Sequence, residues 1–154
     1  MNLVYYPDPI LSVVSEPVRD FGWTTDLATE MLDLMDTHGG IGLAAPQVGI
    51  NKRLFVAHIA NDTIVAVNPT IITSGEVKYI DEGCLSIPNV ILQISRPSIV
   101  ELRAFDVFGK PFELVLYDLD AAVVQHEFDH ISGITILDKV SRQMKKNSLR
   151  KYRV

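Results

Sequence analysis

Apolar and polar positions recur with two different periods along this chain, and the change of period divides it into elements. Leu27, Met31, Leu34 and Met35 fall at i, i+4, i+7 and i+8, one stripe of an amphipathic helix. Thr24 or Thr25 stands at its start as an N-cap and Gly39-Gly40 at its end, and the stripe itself reads as core. Strand-like runs follow at 53–59, 64–67, 90–94, 99–105 and 112–116. Turns between them are signalled by Asn61-Asp62, Asn68-Pro69, Asn89 and Phe108-Gly109-Lys110. The period then returns to that of a helix. Asp118-Leu119-Asp120 supplies an N-cap and first-turn acids, Ala121-Ala122-Val123-Val124 continues without Gly or Pro, and Gly133 stops it. Ser141 caps a short helix through 142–146, with Leu149 and Tyr152 as docking residues. The pattern predicts one α+β domain over 1–154, with antiparallel strands packed around a central C-terminal helix that bears residues 125–130. One N-terminal amphipathic helix completes it.

Composition narrows the class. A chain of 154 residues with 47% hydrophobic content suits one globular domain with its own core. No run of 18 apolar residues occurs, so no membrane span is expected. The net charge is −5, but 7 of the 14 basic residues lie between Lys139 and Val154, where no acid stands. A basic tail from about 139 can attract a phosphate backbone, or it can simply balance the acidic body. Both readings stand.

The chemistry concentrates in Gln125-His126-Glu127-Phe128-Asp129-His130. An H-E-x-x-H spacing on a helix places two imidazoles one above the other, able to share one divalent ion. Glu127 lies about 100° round the helix and can handle the proton of an attacking water. The plain alternative is a satisfied pair of helix histidines. A catalytic zinc-type site takes a third protein ligand. An H-E-x-x-H-x-x-G-x-x-H peptidase would need histidine at 136, where this chain has Ile136, and Asp138 lies too close to the helix end. Upstream, Cys84 is the only cysteine. With two histidines lacking a partner it is the favoured ligand, ahead of His38 and His58, although a lone cysteine is otherwise most often a small buried hydrophobe.

Three segments together resemble the peptide deformylases: Gly40-Ile41-Gly42-Leu43-Ala44-Ala45-Pro46-Gln47, Glu82-Gly83-Cys84-Leu85-Ser86 and the 125–130 helix, in that order. Pro7-Asp8-Pro9-Ile10-Leu11, Asn68-Pro69 and Gly109-Lys110-Pro111-Phe112 extend the likeness to about residue 140. The resemblance implies an enzyme that removes the formyl group from N-formyl-methionyl nascent peptides. It implies Cys84, His126 and His130 as ligands of Fe(II), replaceable by Zn(II), Ni(II) or Co(II), and Glu127 as general base and then acid. The Gln47 amide and the Leu85 N–H are implied as donors to the oxyanion. Gly40 and Gly42 would let the backbone run beside an extended peptide, or serve only as a tight connection. Ile41, Ile80, Leu119, Ala122 and Val123 fall at the family's methionine-pocket positions, though each is equally an ordinary core residue. Glu82, beside Gly83, would anchor the metal loop, unless it is a surface carboxylate.

The N-terminus enters the resembling region within a few residues, so no leader peptide and a cytoplasmic setting are expected, with no DNA partner; in the family the C-terminal segment docks on the ribosome, which makes ribosomal RNA one of the two readings of the basic tail. One departure stands inside the site region. Many bacterial members carry an arginine seven residues after the cysteine, where this chain has Ile91; Arg96 does match a second arginine of the family.

Overall fold

The structure is a computed structural model that describes residues 1–60 and 62–152. Five strands form one antiparallel sheet in sequence order: β1 (Gly42–Ala44), β2 (Leu54–Ile59), β3 (Asp62–Cys84), β4 (Ile87–Phe105) and β5 (Pro111–Tyr117). Three α-helices accompany it, α1 (Thr24–Thr37), α2 (Asp118–Ile131) and α3 (Arg142–Lys151). The α+β class and the antiparallel sheet follow the expectation.

Alternating inward positions of the strands supply two apolar layers. One is built by Phe55, Ala57, Ala66, Val100 and Leu102 against Ala121, Val124 and Ile131 of α2. The other joins Leu27, Met31 and Met35 of α1 to Leu43, Leu54 and Val56. Here the helical stripe read from the sequence is the core, with Met31 and Met35 fully buried. A third, smaller cluster gathers Ile87, Val90, Leu92 and Ile94 with Ile136 and Leu137, and Leu149 and Tyr152 of the C-terminal segment pack onto it. The basic tail is therefore docked: Ser141 caps α3 by accepting from Met144 N at 3.2 Å, and the Tyr152 hydroxyl donates to Tyr6 O at 2.7 Å.

The strands depart from the sequence reading in length. The separate runs at 64–67, 90–94 and 99–105 belong to two long strands, 23 and 19 residues. The turn signals Asn68 and Asn89 sit inside them at φ +49° and +66°, and act as bulges. Asn68 is held there by Val18, whose N–H and C=O both bond its side-chain amide at 2.8 Å. The turn expected at Asn61-Asp62 falls partly on Asn61, outside the described residues.

Neither predicted threonine or aspartate cap is used as such. Trp23 occupies the N-cap of α1, and the Thr24 hydroxyl donates to Phe21 O and Val107 O. Tyr117 occupies the N-cap of α2; Asp118 pairs with Lys78 at 2.7 Å and Asp120 accepts from Ala60 N at 3.0 Å. Tertiary partners outcompeted the local caps. No helix among the described residues is long and apolar enough to cross a membrane.

Candidate metal centre

The β3–β4 hairpin closes through a two-residue turn, Leu85-Ser86, and this turn is brought against α2. Cys84 ends β3 at its mouth. On α2 the four-residue spacing stacks His126 and His130, whose Nε2 atoms stand 3.2 Å apart. Cys84 Sγ lies 3.3 Å from His130 Nε2, and the three donor atoms fall within 4.8 Å of one another. Tetrahedral Zn²⁺ or a similar ion, with bonds of about 2.0–2.1 Å to nitrogen and 2.3 Å to sulfur, needs donor separations of roughly 3.3–3.6 Å. The cluster can hold one such ion. The other histidines stand elsewhere: His38 bonds back to Leu34 O, and His58 joins Asp36 and Thr63. Asp138 accepts from Thr135 N, closing the short turn after α2.

Polar groups behind the three donors fix their aim. Glu82 Oε1 meets His126 Nδ1 at 2.9 Å, which orients the ring. The same carboxylate takes both arms of Arg96, at 2.8 Å each, and Arg96 also bonds Asp129 at 2.6 Å. Glu82 is thus a buried group and no surface carboxylate. Burial alone would raise its pKa, but Arg96 and His126 outweigh that and hold it at about 2. Lys139 adds a second cation to Asp129 at 3.6 Å. The sequence marked Arg96 only by resemblance and assigned Asp129 nothing; a buried arginine shared by two carboxylates is a tertiary fact.

Glu127 is buried with Oε2 unpartnered. Burial pushes its carboxyl up to about 7, with Glu82 adding to the rise and His126 opposing it. Oε1 stands 4.0 Å from His126 Nε2. Burial, then the charges of His126 and Arg96, keep His130 well below its usual pKa and neutral, the form that offers a lone pair. Burial also opposes a proton on His126, but Cys84, Glu82 and Glu127 outweigh it and pull its pKa well up.

The wall facing α2 is β1, an edge strand paired only with β2. A Cβ on Gly42 would fall 2.5 Å from Glu127 Oε1 and 2.9 Å from its Cγ, so only glycine lets this strand pass the carboxylate. A Cβ on Gly40 would meet Leu85 Cδ1 at 2.8 Å. Just beyond β1, Gln47 is fixed through Oε1, which accepts from Ala44 N at 2.9 Å. Its Nε2 therefore faces the cluster, 3.2 Å from Ser86 Oγ and 3.6 Å from Cys84 Sγ.

A cleft of about 460 Å³ opens onto these groups. All the positions read from the sequence come together along it: Gly40, Ile41, Gly42, Gln47, Ile80, Glu82, Gly83, Cys84, Leu85, Leu119, Ala122, Val123, His126 and Glu127, with His130 just behind. Ile41 and Leu119 are more than half exposed and form its rim, while Ala122 and Val123 are buried in its floor. The sequence reading missed Ile87, Asn89 and Val90, which the cleft also uses. Strand periodicity placed Val90 in a run and Asn89 in a turn, but neither signal says which residues face a cleft.

Three converging soft and imidazole donors, a buried carboxylate beside them and an aimed amide fit the metallohydrolase class. The chain belongs to the polypeptide deformylase family, whose sequence model matches residues 1–146. It is 38% identical to the peptide deformylase of Borreliella burgdorferi over 99% of this chain and 94% of that one. Against the Synechocystis peptide deformylase the identity is 42%, covering 94% and 81%. The fold superposes on the crystal structure of a Legionella pneumophila peptide deformylase with TM-score 0.93, at 38% identity over 97% of this chain and 91% of that one. It superposes on the Synechococcus elongatus enzyme in complex with actinonin with TM-score 0.92, at 40% identity over 97% and 84%. The chain is an enzyme of this type, and the family is metal-dependent.

Proposed function

We propose that Cys84, His126 and His130 hold one divalent ion, Fe(II) by preference with Zn(II), Ni(II) or Co(II) as substitutes. With it the chain removes the formyl group from the N-terminal formyl-methionine of newly made polypeptides and releases formate. The observation that carries this reading is the convergence of those three donors beside the unpartnered, buried Glu127 carboxylate.

When bound, the ion supplies Lewis acidity that makes water nucleophilic near neutral pH. Glu127 takes a proton from the water as its oxygen adds to the formyl carbon. Charge then develops on the formyl oxygen, which receives hydrogen bonds from Gln47 Nε2 and from the N–H of Leu85, lying in the turn outside the strand ladder. The carbon–nitrogen bond breaks, Glu127 returns its proton to the departing amine, and formate is left. Burial raises the Glu127 carboxyl above its ordinary value, which favours its returning as well as taking a proton. Gly42 of β1 and the Gly40-Ile41 segment leading into it offer an edge to the peptide backbone, and Ile41, Ile80, Leu119, Ala122 and Val123, with Gly83 beside them, surround the methionine side chain. A cytoplasmic setting keeps the Cys84 thiolate reduced. The seven basic residues from Lys139 onward, most of them on α3 and including Arg153 beyond the described residues, suit contact with ribosomal RNA.

The test is formate release from a formyl-methionyl peptide by protein loaded anaerobically with Fe(II), beside the unformylated peptide. Formate without peptide-bond cleavage is expected; cleavage of the unformylated peptide would indicate a peptidase instead. Glu82→Gln is expected to keep the fold but to weaken metal affinity about 10–100-fold, because the His126 ring loses its charged partner. Titration with a competing chelator reads that shift.

A further inference from the structure

Asp36 stands in the last turn of α1, where no basic residue accompanies it and where a carboxylate opposes the helix dipole. Its partner accounts for it. Oδ1 accepts from His58 Nε2 at 2.7 Å, and the other ring nitrogen, Nδ1, meets Thr63 Oγ1 at 2.8 Å. A carboxylate only accepts, so it sets a proton on Nε2. The Thr63 hydroxyl donates or accepts as needed, and the ring keeps both bonds whether neutral or charged. Among the described residues no other ion pair reaches α1.

These side chains join parts of the fold that lead to both walls of the cleft. Beyond α1 the chain passes through Gly39, at φ +68°, into the Gly40-Ile41 segment and β1, which form one wall. Gly39 N donates to Asp36 O and Gly40 N to Met35 O, so these bonds carry the glycines wherever the helix end sits. The sheet holds the segment at one point, where His58 N donates to Ile41 O at 2.9 Å. Two residues further on, where β2 turns into β3, Ala60 N donates to Asp120 Oδ1 at 3.0 Å in the first turn of α2. The other wall is α2, through Leu119, Ala122, Val123 and the residues that follow. The end of the β2–β3 hairpin thus spans the two walls, tied to one by His58 and to the other by Asp120.

We propose that the Asp36–His58–Thr63 contact is a positioning device: it fixes the helix end that carries the glycine segment, and so sets how well the cleft binds a peptide backbone without entering the chemistry. The inference rests on the deformylase reading above. None of the three side chains lines the cleft, so their influence on substrate passes through the segment they hold. The Asp36 and His58 side chains are 60% and 40% exposed, and a pair this exposed is worth up to about fivefold in an equilibrium. That bounds the effect on binding.

The experiment measures KM and kcat separately for a formyl-Met-Ala-Ala amide, using metal-loaded full-length protein. Asp36→Ala and His58→Ala should each raise KM about threefold to fivefold, with kcat per bound metal within about twofold of the unaltered protein. The double variant should be no worse than either single one, because each change removes the same contact. Asp36→Asn keeps an oxygen that accepts from His58 Nε2, and should bring KM back to within about twofold. Amide-hydrogen exchange across residues 38–42, read by mass spectrometry without substrate, should quicken about threefold to fivefold in Asp36→Ala. An unchanged KM or unchanged exchange in Asp36→Ala, single effects that multiply in the double variant, or Asp36→Asn no better than Asp36→Ala would overturn the proposal while leaving the deformylase reading in place. No turnover of any formyl peptide by the unaltered protein would overturn both.

Discussion

Replacing Glu127 with Gln is expected to leave a folded, metal-loaded protein whose kcat on formyl-methionyl peptides falls about a thousandfold or more. The amide has nearly the same shape, so it can remain in the slot beside Gly42 where the carboxylate lies. It cannot accept the proton of the attacking water or return one to the amine. The three donors that can hold the ion are untouched, since Glu127 Oε1 stands 4.0 Å from His126 Nε2 and outside their cluster. Metal content should therefore equal that of the unaltered enzyme. The measurement is kcat normalised to bound metal, and a loss smaller than tenfold would remove Glu127 from the proton-transfer role.

Cys84→Ala should act at the preceding step. Without the sulfur only two imidazoles remain, from adjacent turns of one helix, and the hairpin no longer offers a donor atom. The variant is expected to leave a desalting column essentially free of metal and to show no turnover above background. Its fold should persist, because the side chain is small and only half-buried. A ligand present at 100 times its dissociation constant stabilises a protein by about 2.7 kcal/mol. Melting curves with and without added metal should accordingly differ for the unaltered chain and coincide for the variant. Retention of one ion per chain together with turnover would exclude Cys84 as a ligand.

The part of the site legible in the sequence is the part that depends on local periodicity. A four-residue spacing within a helical pattern places His126 and His130 together whatever the rest of the fold does. Cys84 is 42 residues from His126, and elimination could only favour it; the hairpin that delivers it is a matter of tertiary pairing. Gly42 shows the same limit. As a sequence feature it suggests a turn or a peptide-binding edge, while in the fold its missing side chain makes room for the Glu127 carboxylate. Turn chemistry misled where long strands absorb an irregularity, since Asn68 and Asn89 have the positive φ of turn residues but lie within continuous strands. Cap chemistry misled where a better partner arrived from afar, as Lys78 did for Asp118 and Val107 for Thr24. The α1 stripe, by contrast, was fully readable, because a single apolar face against a sheet admits one solution.

Arg96 grips Asp129 on α2 and, on β3, the Glu82 carboxylate that also orients the His126 ring. The hairpin and the helix are thereby joined by a buried ion-pair network as well as by the three donors, so part of the cost of ordering them belongs to folding. Small zinc modules, in which metal binding is itself the folding energy, collapse when stripped. Here the Arg96 network gives the donors a support of their own, and stripping bound metal is expected to leave the chain folded.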